Sequence, residues 1–182
     1  MNEVLQCMER RYSCRLYDGK MPEKEDLDVI AAAAVQAPSA MNRQPWEVVV
    51  INDKALIDRM DEESMRVLAQ VPDKSFYNRM MERGGKVFYN APCMFLVLMQ
   101  PDRGMDVGIV AENITLAATS LGLGSVICGL AATPFNSPKG EEFKQEIGFP
   151  RGMEFGVAVL VGYAAKESTP HEPDMGKIRF MK

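Results

Sequence analysis

Seven consecutive apolar residues, Cys93-Met94-Phe95-Leu96-Val97-Leu98-Met99, set the first constraint on this chain. A run this short, closed by Pro101-Asp102-Arg103-Gly104, reads as a strand, and with no polar position in either parity it must be covered on both faces. A sheet built around it therefore needs helices above and below. Three further apolar runs can pair with it: Glu47-Val48-Val49-Val50-Ile51, Ser125-Val126-Ile127-Cys128-Gly129, and Glu154 through Tyr163. The expectation is one α+β domain spanning 1–182, with about four core strands and helices wrapped round them.

The helical segments announce themselves by period and punctuation. Val4, Leu5, Cys7 and Met8 fall at helical spacing, and Arg10-Arg11 follows where cations suit a helix C-terminus. Pro22, Glu23, Glu25 and Asp26 open a second helix whose inner face is Leu27, Ile30, Ala31, Ala34 and Val35; Pro38 disfavours helix at Ala37 and ends it. Asn52 or Asp53 caps a third, carrying Leu56, Ile57 and Met60, before Pro72 breaks the run. Phe76, Met80 and Val87 mark a helical pattern over 73–89 that Gly84-Gly85 weakens, so 60–86 is expected to be the most mobile part. From about Asp106 to Leu121, apolar residues spread round most of a helix, which should be central and largely buried. Pro138 through Ile147 makes a short amphipathic helix, and Lys177-Ile178-Arg179-Phe180-Met181 reads as a short strand with no neighbour of its own.

Two polar stretches stand out from this scaffold. Arg11-Tyr12-Ser13-Cys14-Arg15-Leu16-Tyr17 places two guanidinium forks and a hydroxyl within five residues, enough to surround one phosphate or to be a solvated basic cluster. Ala37-Pro38-Ser39-Ala40-Met41-Asn42-Arg43-Gln44-Pro45-Trp46 packs short polar side chains and the chain's only Trp between two prolines. A plain connector has no use for that concentration of amides; a flat, polar-rimmed cofactor does. The net charge of −4 argues against a general nucleic-acid surface. Four scattered cysteines and a single histidine offer no metal spacing and suit reduced thiols in a cytoplasmic protein. No apolar run reaches the length of a membrane span. Gly122-Leu123-Gly124 lacks the third glycine of a dinucleotide fingerprint, since position 127 is Ile127, and it follows a helix instead of a strand.

Taken in order, these stretches resemble the FMN-dependent nitroreductase family through nearly the whole chain. The likeness is carried by Arg11-x-Ser13-x-Arg15-x-Tyr17, by Pro38-Ser39-Ala40-Met41-Asn42-Arg43-Gln44-Pro45-Trp46, by the apolar helix leading into Leu121-Gly122-Leu123-Gly124-Ser125, and by the closing strand with Gly162-Tyr163. The resemblance implies a three-layer fold with a mainly antiparallel sheet, in an intertwined homodimer with FMN at the interface. The tail, about 164–182, would pack on the partner subunit. Arg11, Ser13 and Arg15 would hold the FMN phosphate, with Tyr12 contacting through its backbone. Pro38, Ser39, Ala40, Asn42 and Gln44 would line the flavin ring, and Ile127, Cys128 and Gly129 its reactive edge. The family often carries serine where Ala40 stands. A late cation completing the phosphate site could be His171, Lys177 or Arg179, with His171 preferred. The Asn/Lys pair that some relatives place before the second strand has Lys86 or Arg83 as substitutes.

The activity implied is an NADH- or NADPH-dependent oxidoreductase that passes hydride through FMN to an electron-poor small molecule such as a nitroaromatic or quinone, in ping-pong fashion. No side chain is singled out as a catalytic acid. The alternatives are a flavin-binding, storage or sensor protein without nicotinamide turnover, and a specialised chemistry such as reductive dehalogenation.

Overall fold

The computed structural model describes residues 2–166 and 168–181. The apolar run at its centre is strand β2 (Cys93–Met99), flanked by β1 (Trp46–Ile51) and, on its other side, by the final strand β4 (Glu154–Gly162); β3 (Gly124–Cys128) lies beyond β4. The sheet order is β1-β2-β4-β3, and each neighbouring pair is antiparallel. Val48 faces Val97, which faces Val157 across the centre of the sheet. Between Val97 and Leu98 the register shifts by one residue, with Gly156 at the irregularity. A Cβ on Gly156 would stand 2.8 Å from the Val97 carbonyl oxygen and 2.9 Å from a Val107 methyl, so only glycine lets the strand and helix approach here.

Alternate residues of β2 enter separate cores, which is the three-layer arrangement the sequence calls for. Met94, Leu96 and Leu98 pack with Leu56, Ile57 and Met60 of α3 (Lys54–Leu68), Met80 of α4 (Ser75–Glu82) and Phe143 of α6 (Gly140–Ile147). Cys93, Phe95 and Val97 pack with Leu27, Ile30 and Ala34 of α2 (Lys24–Ala34) and with Val107, Val110, Ala111, Ile114 and Ala118 of α5 (Gly104–Ser120). The remaining helix, α1 (Glu3–Arg10), lies against α5, where the Cys7 thiol donates to the Leu116 carbonyl at 3.2 Å. All the cysteines are free and buried.

Helix ends follow the sequence punctuation. The Asn2 side chain caps α1 by accepting from the Leu5 N–H at 3.0 Å, and Asp53 caps α3 through the N–H groups of Ala55 and Leu56. Gly148, at φ 82°, closes α6 in the left-handed conformation. Helix α5 is central, as expected, although one side of it is open: Met105 is 79% exposed.

Two expectations need revision. The stretch 60–86 is organised as the end of α3 and all of α4, and Met60, Ser64 and Met80 are fully buried. Its acidic surface composition had concealed an inner face at the spacing 57, 60, 61, 64. The predicted strand at 177–181 is not a strand among the described residues. A 3₁₀ turn at Met175–Lys177 precedes Ile178, which has extended dihedrals (φ −101°, ψ 128°), but among the described residues no strand pairs with it. Among the described residues no helix is long and apolar enough to cross a membrane.

Candidate functional site

The Arg11–Tyr17 segment runs along the open edge of β3. The Cys14 N–H donates to the Ser125 carbonyl at 2.8 Å, Ser13 bridges Ser125, and Tyr17 bridges Ala164 just beyond β4. Gly124 makes this approach possible: a Cβ there would stand 2.8 Å from Cys14 Sγ and 2.9 Å from its Cβ. Two buried side chains anchor the segment. Cys14 is 1% exposed, and the Tyr17 hydroxyl donates to the Leu160 carbonyl at 3.1 Å. Burial pushes the Cys14 thiol up and holds the Tyr17 hydroxyl well above the ordinary tyrosine range, so both stay neutral.

With Cys14 and Tyr17 anchored inward, Arg11 and Ser13 stay half-buried and Arg15 exposed, and the chain after β4 folds back over them. The Ala165 N–H donates to the Leu16 carbonyl at 3.0 Å. Ser168, Thr169 and His171 then close a cleft of about 330 Å³ with Arg11, Tyr12, Ser13 and Arg15. An Arg15 N–H reaches back to the Ser13 carbonyl at 3.4 Å, which holds the guanidinium beside the hydroxyl. His171 is thus the late residue gathered with the arginines. Lys177 instead lies 4.0 Å from Asp174 on an exposed turn. Ser168 and Thr169 were missed from sequence; their signal is a hydroxyl pair six residues past the last strand, in a tail that the family resemblance assigned to a partner.

Along the same edge, β3 continues to Ile127 and Cys128 and then into a 3₁₀ turn at Gly129–Ala132. The Ser125 carbonyl points outward to Cys14. By the two-residue period of a strand, the N–H and C=O of Ile127 point outward too, and the Ile127 side chain is 45% exposed. The Cys128 side chain turns the other way, into the core with Met94 and Leu96. Burial pushes its thiol up to about 11. Cys128 can therefore contribute backbone here, and its sulfur is no nucleophile.

The loop Pro38–Gln44 sits elsewhere. It enters β1 at Trp46, which pairs with Met99 at the end of the sheet opposite Ser13 and Ser125. From β3 to β1 is three strand steps of about 4.8 Å, and Ile51 to Trp46 is five residues of about 3.4 Å, a diagonal on the order of 20 Å. One chain therefore does not bring Pro38, Ser39, Ala40, Asn42 and Gln44 together with Arg11, Ser13, Arg15 and His171. The loop is nonetheless tightly built. Met41, Asn42 and Gln44 all have positive φ (57°, 52° and 47°), a conformation costing about 1–2 kcal/mol for each L-residue. Ser39 holds it by accepting the Gln44 N–H on Oγ at 2.8 Å and the Asn42 N–H on its carbonyl at 2.9 Å. Buried Ala37 and Trp46 pin the ends, and the Pro45 carbonyl accepts the Gln100 N–H at 3.0 Å. Pro38, Ala40, Asn42 and Gln44 remain exposed, with Ser39 half-buried. Strain held this firmly on an open surface marks a presented segment.

Of the two candidate cations before β2, Lys86 is the one tied into the structure. Its ammonium lies 2.8 Å from Asp58 and lines a cavity with Asp61, whereas Arg83 is exposed at the end of α4.

The nitroreductase family profile matches residues 8–163, and the chain belongs to that family. A crystal structure of a nitroreductase with bound FMN from Desulfitobacterium hafniense is 46% identical, with a TM-score of 0.97 over 100% of both chains. A protein of Archaeoglobus fulgidus, provisionally named NADH dehydrogenase/NAD(P)H nitroreductase, is 29% identical over 96% of this chain and 92% of its own. An iodotyrosine deiodinase of Thermotoga neapolitana is 26% identical over 90% of this chain and 89% of its own.

Proposed function

We propose that this protein binds FMN and works as an NADH- or NADPH-dependent oxidoreductase on small electron-poor acceptors, in a homodimer whose two flavin sites are each built by both copies. The observation that carries this reading is the convergence of Arg11, Ser13, Arg15 and His171 on one cleft beside an open strand edge. The donors suit a phosphate: two guanidinium groups, a hydroxyl and an imidazole, with charge-assisted bonds each contributing about 1.5–3 kcal/mol. Two to four residues beyond Ser125, about 7–13 Å along the edge, the outward Ile127 N–H and the exposed Gly129 backbone suit the ring.

The loop Pro38–Gln44 complements this from the second copy. Within one chain the two corners are diagonal, so a two-fold partner is the way to place a rigid amide-bearing loop over the ring. The exposed apolar tail, with Ile178 54%, Phe180 85% and Met181 81% exposed, supplies a further surface for that partner.

FMN held there would supply the redox chemistry, carrying hydride between a reduced nicotinamide and the acceptor. The chain's own residues do the rest. Arg11, Ser13, Arg15 and His171 fix the phosphate end, the Ile127–Gly129 backbone offers neutral hydrogen bonds that do not titrate, and the loop of the other copy excludes water from the ring face. The test is direct. Protein reconstituted with FMN should be yellow, melt at a higher temperature than the flavin-free form, and bleach anaerobically with NADH or NADPH. Colourless protein indifferent to FMN contradicts the reading; bound flavin that neither nucleotide bleaches points to storage or sensing. The deiodinase relative favours a second reading, reductive dehalogenation, which a halogenated phenol in an acceptor screen against the bleached protein distinguishes from nitroaromatic and quinone reduction.

A further inference from the structure

A second cavity, of about 440 Å³, shares a wall with the phosphate cleft: Tyr12 and Ser168 line both. It is bounded by the turn 122–124 between α5 and β3 and by Arg10, Thr119 and Tyr163. A Cβ added at Gly122 would meet no atom within 4 Å, so the backbone of the turn lies open to it. The volume falls within the roughly 300–1,000 Å³ of pockets that enclose a small molecule. Its place along the β3 edge gives it meaning. The cavity lies at 122–124, the phosphate cleft lies where Ser13 bridges Ser125, and the backbone offered to a ring lies at Ile127 and Gly129. At about 3.3 Å per residue, these three positions follow one another at intervals of about 7–10 Å.

We infer that this cavity is an adenosine subsite, so that the site takes FAD as well as FMN, with the adenosine on the far side of the phosphate from the ring. This rests on the FMN reading above. Charge divides the two compartments. Helices α1 and α5 both end at the cavity, and their C-termini carry partial negative charge that disfavours a phosphate and suits the exocyclic amine of a purine. The diphosphate stays in the adjoining cleft with Arg11 and Arg15, and the exposed Arg10 adds a third cation on the cavity side. Half-buried Tyr163 offers the base an aromatic surface; the Lys20 ammonium stands over that ring, 4.9 Å from its centroid, without lining the cavity. Thr119 Oγ1 donates to the Thr115 carbonyl at 2.8 Å, which leaves its oxygen to accept from a ribose hydroxyl. A nicotinamide stacked on the ring could reach this cavity only by carrying its own diphosphate past the flavin phosphate. The occupant is therefore the adenosine of FAD and not that of the hydride donor.

The experiment is a calorimetric titration of the flavin-free full chain with FMN and with FAD, for wild type, Tyr163→Ala and Arg10→Ala. The expected result is that wild type binds FAD at least as tightly as FMN. Each substitution should then lower FAD affinity about tenfold and change FMN affinity less than about twofold. Arg10 is exposed at a helix end, so its variant decides the matter even if Tyr163→Ala does not fold. Wild type that binds FMN but takes FAD more weakly overturns the inference and leaves the FMN reading standing. FAD affinity that a folded variant leaves unaltered overturns it as well, and so does a loss shared equally by FMN and FAD. A raised KM for NADH in either variant, with FAD affinity unchanged, assigns the cavity to the hydride donor and overturns it too. Wild type that binds neither flavin removes the FMN reading together with the inference.

Discussion

Arg15 and Asp61 show how differently two charged residues can be read. Arg15 is visible in sequence because the Arg-x-Ser-x-Arg spacing places it beside Ser13 and Arg11, and the anchoring of Cys14 and Tyr17 leaves all three lining one cleft. Replacing Arg15 with Ala should weaken FMN binding by about 1.5–3 kcal/mol and riboflavin binding much less, as measured by fluorescence titration; equal losses for both ligands contradict a phosphate contact. Asp61 is hidden in the acidic run Asp58–Glu63, and only its i+4 relation to Ile57 hints that it shares the inner face. Because its folded-state value of about 6 lies above the ordinary 3.8, the folded state holds the proton more tightly. Stability from this group is therefore greatest below pH 4 and falls as pH rises through 4 to 6. The gap between 3.8 and about 6 corresponds to roughly 3 kcal/mol. Urea unfolding at a series of pH values should show that decline in wild type relative to Asp61→Asn, and parallel profiles contradict it.

At the scale of elements, the strands and helices were legible where burial is dictated by composition. The seven apolar residues of β2 need no context to be read as a two-sided strand, and Gly148 marks the end of α6 by chemistry alone. What stayed hidden depends on neighbours. Left-handed Met41, Gln44 and Tyr89 carry no sequence mark, since it is the surrounding bonds that hold them there. The final apolar segment has the composition of a strand, yet no strand forms there among the described residues. Gly124 belongs to this scale too, because its bare backbone lets the Arg11–Tyr17 segment lie on β3. Gly124→Ala should displace that segment and weaken FMN binding at least tenfold while far-ultraviolet circular dichroism stays unchanged. Unaltered affinity in a folded variant contradicts the idea that this close approach positions the arginines.

At the scale of the whole molecule, the candidate site was legible in its parts and not in its assembly. The residues of the Arg11–Arg15 segment and the Pro38–Gln44 loop were each identifiable, but only the sheet order β1-β2-β4-β3 shows that they occupy opposite corners of one chain. In the proposed two-fold dimer a second copy would close that separation, and the exposed Phe180 and Met181 are the surface offered to it. Truncation after Glu172 should therefore shift the protein from dimer toward monomer in sedimentation velocity; an undiminished dimer contradicts a role for the tail.

The shared site is tested most directly by counting flavin in a mixed dimer. One copy carries Arg11→Ala and Arg15→Ala, the other Ser39→Ala and Asn42→Ala, each with its own affinity tag. Both parent dimers should bind little FMN. If each site takes its arginines from one copy and its loop from the other, the mixed dimer regains one intact site and holds close to one FMN per dimer. A mixed dimer as flavin-poor as its parents contradicts the account.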